Sequence, residues 1–339
     1  MSPRPVLDPP VRRVPLLPHQ LTEPVTPTEG MPVLAHVGVP RIDPANWSFE
    51  LTGLVRRPRR YTLDRLRRYP MRRLQAFHQC VGNPLTPGVP GRRICNVVWG
   101  GVELRTLLDE AGLDEDAKYL WSYGLDHGTF ADVDCEAYLK DMPLSRVFDD
   151  DTGADVLVAY ELNGQPLDAE HGFPARLVVP GWYATNSVKW LHRMVLSDRR
   201  SEGPFTTMFY NEPPPPTPQE PEPTPRPVWR IAPESVIVSP APGATPTQGR
   251  QVEIWGWAWA PSGAATVEVS VDGGRTWLDA TVAAREQLSW QRFSLPWRPA
   301  APGGVTIACR VTDRAGVGQP ATGARNEIHT VPVTVAPSG

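Results

Sequence analysis

The chain has 339 residues, 40% hydrophobic and 21% charged, with a net charge of −3. That length holds two domains of ordinary size, and that composition is globular, which excludes a disordered chain. A near-neutral balance and a pI near 6.2 exclude a protein built around nucleic acid or anionic lipid, and no apolar run approaches the ~20 residues that span a bilayer.

Four cysteines, at 80, 95, 135 and 309, form neither a CxxC pair nor a disulfide framework, which points to a reducing compartment. Arg12-Arg13 has no hydrophobic stretch after it, so no secretory or twin-arginine signal is read there. A cytoplasmic location is expected, or a periplasmic one if the N-terminus has been trimmed.

Residues 1–30 are rich in proline and read as an extended arm without its own core. Met31 to Pro40 is a short apolar segment containing His36, and Trp47 to Val55 alternates as a half-buried strand does. Thr62 to Tyr69 reads as a short helix ended by Pro70, within an arginine run from Arg56 to Arg73 that reads as a solvated helix face. Val102 to Ala111 has helical spacing with Gly112 as its C-cap. Tyr119–Tyr123, Val156–Tyr160, Arg176–Gly181 and Val188–Leu191 are apolar strand-like segments, and Asn163-Gly164 is a turn. Helices and strands mix without βαβ alternation, so residues 31–212 are expected to form an α+β domain.

Nine of the fifteen residues from Pro213 to Pro227 are proline. The stretch is expected to be a stiff linker covering roughly 45 Å. Residues 228–337 then read as about seven short strands at close spacing, the pattern of an immunoglobulin-like sandwich of ~100 residues.

The chemistry centres on Cys80, between a hydrophobic approach and a glycine turn. Taken singly, Cys80 reads as a small core residue or a metal ligand, His36 as a core histidine, Asp126 as a turn former, and Arg176 and Lys189 as surface charges. A zinc site on Cys80 and His78 matches no standard ligand spacing.

Together the ordered segments carry more. Gln79-Cys80-Val81-Gly82-Asn83, Val98 to Leu104, Tyr160 to Pro166, His171 to Gly181 and Val188-Lys189-Trp190-Leu191 resemble the sulfite oxidase family of molybdopterin enzymes. Pro40 to Pro44 resembles the family's entry strand. Gly256 to Trp259 and Val269 to Trp277 are similar to its dimerisation domain. The resemblance covers about residues 31–337.

It implies a molybdenum–molybdopterin cofactor with Cys80 as the protein thiolate on the metal, a sensible match of soft ligand to transition metal. It implies cofactor contacts from His36, Asp126, His171 and Ser187, and phosphate pairing by Arg176 and Lys189. Tyr210 falls at the place of the active-site tyrosine, a hydrogen-bond donor or proton relay. The implied activity is oxygen-atom transfer coupled to two-electron redox. Sulfite is the default substrate, an external acceptor such as a cytochrome takes the electrons, no haem lies in this chain, and the protein is a homodimer.

The family's sulfite-binding cage is depleted here. Leu34 and Ala35 stand where an arginine and an asparagine are expected, Pro84 and Leu85 replace arginines, the loop tryptophan aligns near Val89, and the sandwich arginine falls at Gly263. Arg92 and Arg93 are the candidates to compensate. The competing readings are reduction of a sulfoxide or another oxyanion, and a dimeric cofactor-binding scaffold without turnover.

Overall fold

The computed structural model describes residues 11–13, 15–83, 91–148, 154–214 and 217–339. The chain divides into two compact units. The first is built mainly from Pro32–Leu74 and Val97–Arg230, the second from Pro15–Met31, Gln75–Asn96 and Ile231–Gly339.

The first unit holds a five-stranded mixed sheet in the order Leu139–Pro143, Tyr119–Gly124, Leu191–Ser197, Ser48–Gly53, Arg59–Thr62. Only the pairing of Leu191–Ser197 with Ser48–Gly53 is parallel. In Tyr119–Gly124 each second residue (Leu120, Ser122, Gly124) is buried, the period-2 pattern of a strand with one face on the core. A second set of strands joins Leu157–Leu162 antiparallel to residues 99–103, to Gln165–Pro166 and to Arg176–Val178. The expected turn at Asn163-Gly164 is present, with φ of 51° and 77°, as a two-residue hairpin turn of the primed type requires.

The helix expected from Val102 begins at Leu104 and ends at Ala111, because the preceding strand runs on to Glu103. It buries Leu104, Leu107, Leu108 and Ala111, one stripe at helical spacing, and Gly112 closes it at φ 69°. The helix expected over Thr62–Tyr69 spans Leu63–Leu66, with Thr62 as its N-cap accepting from the Arg65 N–H. The arginine run is therefore not one helix face. It crosses the strand Arg59–Thr62, this helix and the start of the strand Arg72–Gln79. Several of its members are paired: Arg59 and Arg65 with Glu110, Arg72 with Asp155, Arg73 with Glu161.

The proline-rich stretch also differs from expectation. Asn211–Glu212 pairs antiparallel with Arg226–Pro227, so the segment turns back on itself rather than reaching across roughly 45 Å. Proline removes donors along the stretch but leaves the ends free to pair, since Asn211, Glu212 and Arg226 keep their N–H groups. Pro215 and Pro216 lie outside the described residues.

The second unit contains the sandwich. One four-stranded sheet runs Glu234–Ser239, Val252–Trp259, Gln291–Trp297, Thr281–Val282, and the other Leu278–Asp279, Ala264–Ser270, Gly303–Asp313, His329–Val335. Between Trp277 and Val282 the chain makes two short strands that change sheets around Ala280, whose N–H donates to the Val267 carbonyl. Between the sheets lie Ile237, Ile254, Val267, Val269, Phe293, Ile307, Val311, Val331 and the reduced Cys309. Ile254 is completely buried there. Ile254→Ala is expected to cost about 2–5 kcal/mol, read as a lower denaturation midpoint for this unit in urea.

The same unit takes in two segments from the first third of the chain. Trp257 and Trp259 alternate away from Ile254 and Ala258 on the outer sheet face. Trp257 stacks on Trp290 at 4.8 Å, and their indole N–H groups donate to the carbonyls of Leu21 and Pro24. Thus residues 15–30 of the proline-rich arm are held by tryptophans, and Leu21 and Thr26 are buried there. The strand-rich first unit carries all four short α-helices among the described residues and the second carries none, the α+β plus all-β arrangement expected.

Candidate cofactor and active site

Six of the expected site residues (His36, Asp126, His171, Arg176, Ser187 and Lys189), together with Tyr210, fall in the first unit, on the ends of its strands and the loops between them. His36 lies just after the short strand Val33–Leu34. Its ring is packed by Phe130, Tyr138, Phe205 and Tyr210, with centroids 4.9–5.7 Å away, although the residue as a whole is only half-buried. His36 Nε2 is hydrogen-bonded to the Tyr210 hydroxyl. Tyr210 is buried and holds φ at 59°, an uncommon conformation for a bulky residue and one that places its ring on His36.

Behind this pair lies Lys140, which sequence patterning did not single out. It is 2% exposed, donates from Nζ to the Phe205 carbonyl at 2.9 Å, and sits 5.6 Å from the centroid of the Tyr210 ring. Burial pushes it down to about 7, while Asp141 pulls it back up and Arg200 lowers it further. Burial also pushes His36 down to about 3, with the charges of Lys189 and Lys140 adding to the fall. His36 is therefore neutral at physiological pH, with one ring nitrogen able to share the tyrosine proton.

The second group surrounds Lys189. Its Nζ donates to the carbonyls of Leu34 and Glu170 at 2.8 and 2.9 Å and stands 4.2 Å from the centroid of the Trp190 ring. Burial pushes Lys189 down to about 7; Arg176 adds to this, and Asp126, Glu170 and Asp168 oppose it. Burial pushes Asp126 up to about 7, with Lys189 pulling it back. Asp126 Oδ1 is buried and meets no hydrogen-bond partner. The residue two before it must be glycine, since a Cβ on Gly124 would lie 2.8 Å from the Lys189 carbonyl oxygen as well as 2.3 Å from that carboxyl oxygen.

His171 Nδ1 donates to the Asp168 carboxylate at 2.7 Å, which leaves Nε2 as an acceptor, buried and without a partner. Asp168 was missed in the sequence, although its spacing of three from His171 is a visible signal. Gly172, at φ 108°, lets this loop lie against Lys189 and Arg176: a Cβ there would sit 3.2 and 3.1 Å from theirs. Arg176 acts on the walls of the site. Its guanidinium donates to the carbonyls of His171 and Ser187 and stacks 5.0 Å from the centroid of the Trp99 ring. The Ser187 hydroxyl in turn accepts from the Val179 N–H.

Cys80, Arg92 and Arg93 belong to the second unit. Cys80 follows the strand Arg72–Gln79, is half-buried, and donates its N–H to the Arg93 carbonyl at 2.9 Å. Arg92 is no solvated loop residue: it is 7% exposed, with Nε 3.9 Å from Glu234 Oε1. Pro84, Leu85 and Val89 lie outside the described residues. At Gly263 a Cβ would come within 3.1 Å of the Arg285 guanidinium, so an arginine from the loop after Thr281–Val282 lies against that position. Among the described residues no three His, Cys, Asp or Glu side chains cluster so as to hold a metal by themselves.

An unpartnered imidazole acceptor, an unpartnered carboxyl oxygen and a buried amine on one set of loops fit a large polar ligand that brings both donors and negative charge, as a phosphorylated pterin does. The fold and these loops define a protein that binds a polar organic cofactor.

Residues 36–205 match the family described as oxidoreductase molybdopterin binding domain, and residues 226–331 that described as Mo-co oxidoreductase dimerisation domain. Mitochondrial sulfite oxidase of Mus musculus is 31% identical over 94% of this chain and 63% of its own length. Sulfite oxidase of Gallus gallus is 30% identical over 87% of this chain and 68% of its own. Among solved structures, the sulfane dehydrogenase SoxCD from Paracoccus pantotrophus superposes with a TM-score of 0.78 at 29% identity, covering 92% of this chain and 82% of that one. The chain belongs to the sulfite oxidase family of molybdopterin oxidoreductases. It spans 63% of the length of the mouse relative.

Proposed function

We propose that the protein oxidises sulfite, or a closely related sulfur substrate, at a molybdenum cofactor and passes two electrons to an external acceptor such as a cytochrome. The observation that carries this reading is the His36–Tyr210 pair beside the Lys189, Asp126 and His171 loops, all within the unit that matches a molybdopterin-binding family. Sulfite oxidase relatives and a sulfane dehydrogenase neighbour both bear names of sulfur oxidation.

His171 and Asp126 would offer the pterin an acceptor and a carboxyl, Lys189 would meet its phosphate, and Arg176 holds the loop walls through their carbonyls. Cys80 would hold the metal as a thiolate. Once bound, the cofactor supplies two-electron oxygen-atom exchange. Tyr210 presents its hydroxyl to the substrate side, and neutral His36 shares and moves that proton. The sandwich makes a symmetric homodimer, which sedimentation tests.

The test is sulfite-dependent reduction of ferricyanide by molybdenum-loaded protein. Saturable turnover is expected. Full molybdenum loading without turnover would overturn sulfite as the substrate. Leu34 and Ala35, at positions where positive and polar groups were expected, favour a second reading in that event: a larger or less charged sulfur compound, such as a sulfoxide.

A further inference from the structure

The residues on either side of Cys80 are gripped by side chains of the sandwich. Gln79 is fully buried, and its Oε1 accepts from Trp259 Nε1 at 2.7 Å. An indole N–H only donates, so the amide has one orientation and its Nε2 faces the other way. There it donates to Glu234 Oε2 at 2.8 Å. Fully buried Asn83 donates from Nδ2 to the same oxygen at 3.4 Å. On the other side of the cysteine, the Val81 carbonyl accepts from Arg325 Nη1 at 2.8 Å. Glu234 and Trp259 are the first and last residues of paired sandwich strands, in register with each other. Arg325 precedes the final strand, His329–Val335.

We infer that the sandwich positions the Cys80 thiolate, with Glu234 as the central strut acting through Gln79 and Asn83, and Trp259 and Arg325 completing the grip. This rests on the reading of Cys80 as the metal thiolate. It gives the sandwich a task at the thiolate besides pairing two copies of the chain. The peptide units before and after Cys80 set where its Cβ points, and both are tied through neighbours to the sandwich. A one-residue slip of this strand end would break the Trp259–Gln79–Glu234 chain as a whole.

Glu234 is 3% exposed, and burial pushes its carboxyl up to about 8. Arg92 pulls the other way, but at 3.9 Å and without a hydrogen bond to the carboxyl it does not outweigh desolvation. At neutral pH the group is mostly a neutral acceptor for two amides. Glutamine offers the same carbonyl oxygen, so Glu234→Gln keeps the strut. Glu234→Leu has similar volume and no acceptor, and Trp259→Phe removes one N–H while keeping most of the ring.

The experiment follows alkylation of each cysteine by iodoacetamide in the full-length chain prepared without cofactor, read by peptide mass spectrometry. Cys80 is half-buried, whereas Cys95, Cys135 and Cys309 are buried and report global opening. In Glu234→Leu and Trp259→Phe, Cys80 should react about tenfold faster, the scale of one lost buried hydrogen bond, with the other three unchanged. Glu234→Gln should react like wild type. In molybdenum-loaded protein the sulfur-to-metal absorption should shift in the first two variants and not in the third.

Equal Cys80 rates in wild type, Glu234→Leu and Trp259→Phe would overturn the inference. So would a Glu234→Gln rate matching Glu234→Leu, or acceleration of all four cysteines together in both disruptive variants. A wild-type chain that takes up no molybdenum would sink the proposed function instead, while the alkylation pattern would still decide whether the strut exists.

Discussion

Cys80→Ser should abolish sulfite-dependent ferricyanide reduction, lowering kcat by about a thousandfold or more, equivalent to ~4 kcal/mol of barrier. The sulfur is the one atom of this segment that nothing in the fold replaces. A serine hydroxyl is a hard, weakly acidic donor, and it does not deprotonate for a soft metal as a thiol does. The substitution should leave folding almost untouched. Cys80 is half-buried, serine keeps its size and its backbone, and the N–H that donates to the Arg93 carbonyl is retained. Its thermal midpoint is expected within a few degrees of wild type. Cys309→Ala supplies the opposite pattern. Cys309 is fully buried between the two sandwich sheets, so its loss should lower stability by about 1 kcal/mol and leave turnover in place. A Cys80→Ser protein that kept wild-type turnover with full molybdenum content would remove Cys80 from the chemistry.

The contrast between these two cysteines shows what a one-dimensional reading can reach. The alternation of Trp47–Val55 and the turn at Asn163-Gly164 depend on near neighbours, and a strand over Ser48–Gly53 and the turn stand where periodicity and turn chemistry put them. Asp126, His171 and Lys189 each read as an ordinary residue alone and were singled out through the family's ordered motifs; the structure sets Asp126 two after a tightly packed glycine, His171 beside Gly172 and Lys189 against Trp190. What was not legible depends on distant residues. Lys140 sits in an ordinary strand, Leu139–Pro143, and its importance arises only because Phe205 and Tyr210 close over it. Glu234 looks like the polar start of a sandwich strand until Gln79, 155 positions earlier, arrives at its carboxyl. The fold-back of the proline stretch was hidden for a related reason. Proline composition sets local stiffness, whereas the pairing of Glu212 with Arg226 is decided by the two ends.

Tyr210→Phe should lower kcat about a hundredfold with little change in KM, because it removes a proton-bearing hydroxyl and leaves the ring in place. Lys140→Met tests how that hydroxyl and its partner are tuned. Lys140 carries a buried positive charge near His36 and is one of the causes that hold His36 down at about 3, after burial and Lys189. Removing it takes away a repulsion against the imidazolium, so His36 must protonate at a higher pH than in wild type. Neutral His36 is the form that accepts from Tyr210, and the acid limb of kcat/KM against pH should therefore move upward in Lys140→Met. Lys140 itself titrates at about 7, so it is fully charged across the acid limb, and the separation should lie wholly on that limb, the two profiles coinciding once His36 is neutral in both proteins. Measuring kcat/KM from pH 3 to 7 for both proteins decides the matter. Parallel profiles with no displacement of the acid limb would mean that Lys140 does no more than hold the Phe205 carbonyl.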